Sequence, residues 1–230
     1  VPCNWKVALE AFLEGFHVAM THPEALPYTG DTNCQYDYWG ENVSRMMSAL
    51  GTTSPRLADF DYDEESIAEA MTAFIVGDLG DLSVPAGGTA RQVLTKALGN
   101  MLGNATGVDH SGFATSEIID AIQYFAFPNF VPWGGFGVPI VYRFRPNGGD
   151  PDSSIMEVML LYMSSEDAPA PPCAVHWLEP DELWTDAPEL GGLGAIFEQD
   201  AANFPRVQRG LKVDTKPGVS LSNYQESRIR

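Results

Sequence analysis

Phe136–Pro146 reads FGVPIVYRFRP, and Ser154–Ser164 reads SIMEVMLLYMS. Both are rich in β-branched and aromatic residues, and the NGGDPDS between them (147–153) is a turn-forming breaker. Ser116–Phe127 (SEIIDAIQYFAF) has the same character and is set off by a second breaker, PNFVPWGG. Three strands in succession with short connections predict an antiparallel sheet in the middle of the chain. Outward from it, QYDYW (35–39) is a further short strand, and helices are expected around 63–76 and 90–103. Residues 4–20 read as a helix capped by Asn4, with Trp5, Leu9, Phe12 and Phe16 on one apolar stripe. Pro23 disfavours helical geometry at His22, so this helix should stop near Met20 or Thr21. Leu190–Leu211 reads as a long helix strained at Pro205 and closed by Gly210. Helices at both ends around a central sheet predict an α+β fold, taken as one domain over 1–230.

Composition narrows the function. The chain of 230 residues carries 13 Lys and Arg against 31 Asp and Glu, a formal charge of −18, which repels phosphate backbones and argues against nucleic-acid binding. The acidic clusters at 59–81 and 179–200 are read as a solubilising surface. Three scattered cysteines (Cys3, Cys34, Cys173) form neither a disulfide framework nor a CxxC pair, which suits a reducing compartment. No apolar run approaches a membrane span, and VPCNWKVALEAF lacks the marks of a signal peptide; a cytoplasmic protein without membrane attachment is expected.

Two of the four histidines sit five residues apart, His17-Val-Ala-Met-Thr-His22. On an ideal helix that spacing separates them by about 140°, so both cannot face one metal from a regular helix; the Pro23 break resolves this, with His17 projecting from the helix and His22 from the turn beyond it. In the last helix Asp200 falls within the arc of Leu190, Leu193, Phe197, Phe204 and Val207, whereas Glu198 falls on the opposite, wet side. A carboxylate on an apolar face needs a cation, a salt bridge or hydrogen bonds. Two imidazoles and a carboxylate suit Fe(II) with open coordination positions, and zinc hydrolases use the same set. Glu14, three residues before His17, lies opposite the apolar stripe. Periodicity places it in solvent, but its spacing makes it a candidate acceptor for the second ring N–H of a metal-bound His17. Trp133, Phe127, Phe130, Phe136 and Met159 are read as core side chains that could also line a substrate pocket.

The opening NWKVALEAFLEGFHVAMTH (4–22) resembles the start of the catalytic domain in α subunits of Rieske-type ring-hydroxylating oxygenases. FPNFVPW followed by VYRFRPNGGDPDSSIMEVMLLY resembles the family's mid-domain strands. EQDAANFPRVQRGLK resembles its helix with the iron-binding Asp, and LSNYQESRIR the start of its final helix. The interval 60–115 carries no such likeness. The resemblance implies a helix-grip (START-like) domain with a long antiparallel sheet flanked by helices. It implies a mononuclear Fe(II) on His17, His22 and Asp200, and a [2Fe–2S] Rieske domain and a last helix lying outside this chain. It further implies a homotrimer, electrons from a reductase or ferredoxin passing through Glu14, and hydroxylation of an apolar, aromatic substrate by O2. Many members carry Asp at the place of Glu14, so mono- and dioxygenation both remain open. Two rivals from other classes stand beside this reading. One is a metal-free helix-grip carrier of apolar ligands, the other a zinc hydrolase; under either, His110 and His176 are further candidate ligands.

Overall fold

A computed structural model describes residues 1–73, 79, 82–161 and 172–229. Among them six strands form one antiparallel sheet in sequence order: β1 Gln35–Trp39, β2 Val43–Ser48, β3 Ala121–Ala126, β4 Phe130–Gly134, β5 Ile140–Asn147 and β6 Asp150–Leu160. Each strand pairs with the next, so the sheet is an open meander broken only by the long excursion between β2 and β3. Among the same described residues seven helices accompany it: α1 Trp5–Ala11, α2 Val18–Thr21, α3 Glu64–Met71, α4 Ala90–Thr106, α5 Thr115–Ile119, α6 Leu193–Ala201 and α7 Phe204–Val213. The result is a mixed α/β fold with a long antiparallel sheet flanked by helices.

Alternation along the strands sets the buried face. Tyr36, Met46, Gln123 and Trp133 line one cross-strand row, and Val131, Tyr142 and Val158 the neighbouring one. On the other face Arg45 bonds Asp37 and Arg143 bonds Glu157. α1 packs on β5 and β6, and α6 and α7 close the same side.

Several expected boundaries move. Ser116–Phe127 opens as helix, because α5 takes its first four residues before β3 begins. PNFVPWGG is not merely a breaker: it holds β4. Pro132 is tolerated there because pairing with β3 skips Val131 and Pro132, where an N–H is missing, while pairing with β5 continues. Gly135 then turns the chain at φ +73°, where a Cβ would lie 2.6 Å from the Glu117 carbonyl oxygen. The helix read over 4–20 is two helices, and Phe16 is exposed rather than part of a stripe. Leu190–Leu211 is likewise split. α6 ends at Ala201, and Pro205 lies in the first turn of α7, where its missing N–H costs nothing. Gly210 lies inside α7 rather than closing it. The ends of two predicted elements, 74–76 and 162–164, fall outside the described residues. No helix among the described residues is long and apolar enough to cross a membrane.

Candidate metal centre

The site is built from one broken helix and one intact one. Asn4 caps α1 by accepting the Lys6 N–H at 3.0 Å. Phe12, just past the helix end, anchors it among Tyr142, Phe144, Phe197 and Phe204, with ring centroids 5.0–6.4 Å away. The chain then turns at Leu13–Gly15. Gly15 packs closely there: a Cβ would lie 3.2 Å from the Cys34 sulfur, tight enough that the sulfur would have to shift. The Glu14 carboxylate organises the turn into α2: it accepts the backbone N–H groups of Phe16 and of His17 (3.0 Å) and lies 2.7 Å from His17 Nδ1. It is therefore turned inward against the expectation of a solvated side chain, because the helix whose periodicity predicted solvent has already ended.

α2 is a single turn with His17 at its start and His22 at its end. Pro23 opens a 3-10 turn immediately afterwards. This one-turn helix, rather than a long helix exit, brings the two imidazoles together: their centroids are 5.4 Å apart. Asp200 arrives from the last turn of α6, on the buried face with Gly194 and Phe197. Its Oδ1 lies 3.0 Å from His22 Nε2 and 3.5 Å from His17 Nε2. One ligand atom from each of the three residues lies within 4.8 Å of the others, and Asp200 is only 4% exposed.

The donor set fits one metal ion. Each histidine has an acceptor on Nδ1, Glu14 for His17 and the Gln199 side-chain oxygen (2.6 Å) for His22, which leaves both Nε2 atoms for the shared point near Asp200. Burial alone would lower the His22 pKa. The hydrogen bond and charge of Asp200, with help from Gln199 and Glu24, outweigh it and the net shift is upward.

The structure thus gathers all four expected site residues, Glu14, His17, His22 and Asp200. His110 and His176 are elsewhere. His110 is buried with Nδ1 2.8 Å from the Val108 carbonyl oxygen, and His176 is exposed and 3.0 Å from Glu189. Glu198 is half-buried, accepting the Trp184 N–H at 2.8 Å. Of the suggested pocket residues, Phe127, Phe130 and Met159 are exposed rather than core, while Trp133 and Phe136 pack against buried clusters. Sequence reading missed Gln199 and its neighbour Glu24, to which the Gln199 amide donates. They lie 175 residues apart, and only their adjacency to Asp200 and His22 offered a hint.

The sequence profile of the ring hydroxylating alpha subunit (catalytic domain) family matches residues 1–230. The chain belongs to this family. With the His-His-Asp cluster typical of mononuclear iron sites in such domains, this makes it an oxygenase enzyme. No curated protein shows significant similarity to the chain.

Proposed function

We propose that this ring-hydroxylating alpha-subunit domain binds one Fe(II) through His17, His22 and Asp200 and hydroxylates an apolar, aromatic substrate with O2. The observation that carries this is the convergence of three ligand atoms at a buried point to which no Lys or Arg among the described residues forms a salt bridge. A buried carboxylate needs a charged or hydrogen-bonding partner, and two imidazoles converging on it can hold a metal ion as that partner. When bound, the ferrous ion supplies dioxygen activation beside the substrate.

The chain's own residues supply orientation and apolar surroundings. Glu14 accepts the Nδ1 proton of His17, so that Nε2 keeps its lone pair for the metal. Phe197 and Tyr142 wall the Asp200 side, their rings 5.7 Å apart and buried, an apolar surface that suits an apolar substrate. The bond from Glu14 to His17 Nδ1 supports giving Glu14 a second role, coupling an external electron donor to His17. We assign that donor to a Rieske [2Fe–2S] domain fed by a reductase or ferredoxin, in a homotrimer in which one subunit's cluster serves its neighbour. The sheet and its flanking helices are read as a helix-grip (START-like) domain, and 1–230 as the mononuclear-iron unit of a longer cytoplasmic polypeptide. Mono- and dioxygenation are both compatible with Glu14.

The test is product formation from a panel of aromatic substrates by Fe(II)-reconstituted protein with a chemical reductant, in the presence and absence of O2. Oxygen-dependent hydroxylation is expected. Turnover that persists without O2 would point to hydrolysis, and an inability to retain iron would point to a carrier.

A further inference from the structure

His22 is held by a short polar chain that runs away from the metal point. The Gln199 Oε1 lies 2.6 Å from His22 Nδ1, and the Gln199 amide nitrogen donates to Glu24 Oε1. Asn203, one turn further along and just before α7, donates to Thr21 Oγ1 at 3.1 Å, so the α6–α7 junction grips the His22 turn at two points.

The chemistry of the three groups fixes a direction. A carboxamide has a donor end and an acceptor end that differ little in shape, so either could face the imidazole. An ionised carboxylate accepts only. Glu24 therefore draws the NH2 end of Gln199 toward itself and leaves the oxygen facing His22. An oxygen there requires a proton on Nδ1, and a neutral imidazole protonated at Nδ1 presents its lone pair at Nε2, 3.0 Å from Asp200. We propose that Glu24 is a positioning residue that acts through Gln199 to set the His22 tautomer, holding Nε2 ready for the metal. This rests on the reading of His17, His22 and Asp200 as the metal ligands. It makes the two histidines unequal: Glu14 orients His17 directly, whereas His22 is oriented through an amide whose sense depends on a more distant charge.

Polarity, rather than packing, is what the test must address. Glu24→Lys replaces an acceptor by a donor, which turns the Gln199 oxygen away from His22; Gln199→Leu removes the acceptor. The double variant E24K/Q199E restores a group that accepts from both sides. Zn(II) serves as a diamagnetic probe, with affinity measured by competition with a chelator, the hydrogen-bonded Nδ1 proton of His22 by NMR, and thermal melting as a check on folding. E24K and Q199L should each bind Zn(II) about tenfold or more weakly, within the ~10–100-fold cost of losing an outer partner, and lose the protected proton signal. E24K/Q199E should recover the signal and most of the affinity. Retention of both signal and affinity in E24K and Q199L would overturn the proposal. So would weakened affinity with the proton signal intact, since added charge would then account for the loss. Failure of the unaltered protein to bind Zn(II) would instead overturn the metal assignment, and the relay with it.

Discussion

Among the described residues the two larger of three buried clusters differ in kind. The first joins α1, β4–β6, α6 and α7 and is aromatic: Phe12, Tyr142, Phe144, Phe197 and Phe204 touch ring to ring. The second lies under α3, α4 and α5 and is mainly aliphatic, with Leu50, Ile67, Met71, Leu94, Leu98, Ile118 and Ile119. The candidate metal point sits at the seam. Phe12 and Leu13, just before the histidine turn, belong to the first cluster, while Val18 and Ala25, beside His17 and His22, pack on the second. Asp200 comes from the first, one turn beyond Phe197. The aromatic cluster therefore holds the carboxylate and both clusters hold the histidine turn, so damage to one should read out differently from damage to the other.

The sharpest break is Asp200→Ala. It removes the only carboxylate of the cluster and should reduce metal affinity by more than the ~100-fold that outer partners cost, with secondary structure by circular dichroism unchanged. Phe197→Ala should lower stability by about 3–5 kcal/mol in denaturant melts and weaken metal binding too, since it loosens the turn that carries Asp200. Leu94→Ala, fully buried in the aliphatic cluster, should cost about 2–5 kcal/mol yet leave metal affinity within about twofold. Equal losses of affinity in the two variants would erase the distinction.

Arg228 gives a finer probe. Burial lowers its pKa to about 10, and its hydrogen-bond partners are neutral: Ser44 Oγ, the Gln123 side-chain and backbone oxygens, and the Leu13 carbonyl beside Glu14. Arg228→Met should cost about 1–3 kcal/mol through the acceptors it strands, measured by thermal melting. The smallest expected effect is a pH dependence. The folded pKa of His22 is raised, so in metal-free protein its pairing with Asp200 stabilises fully below the ordinary histidine value. That stability is lost as pH rises through the raised one. Metal affinity should climb over the same window, as the competing proton leaves; metal titrations at stepped pH check this.

Much of the site was legible in the sequence, but for local reasons only in part. Asp200 could be found because helical periodicity survives within α6, even though the longer helix assumed around it breaks before Pro205. The stop near Thr21 that Pro23 announced is where α2 ends; the error was to run one helix unbroken through Phe12, where the chain leaves α1 and ring packing on Tyr142 and Phe144 outweighs helix propensity. That same error sent Glu14 to solvent. β4 was hidden by its own Pro132, harmless only because of the register of its neighbours. β2 (VSRMMS) lacked an alternation strong enough to announce a strand. Gln199 and Glu24 act on residues far away in sequence, and nothing in a single chain's periodicity reports a side-chain bond across 175 positions.

X-ray absorption at the iron edge on protein reconstituted with Fe(II) reads the ligand set itself. One iron per chain with two imidazole ligands and a carboxylate oxygen is expected, and one imidazole fewer in His22→Ala. Iron held in an all-oxygen shell, or a spectrum unchanged by that substitution, would contradict the metal assignment.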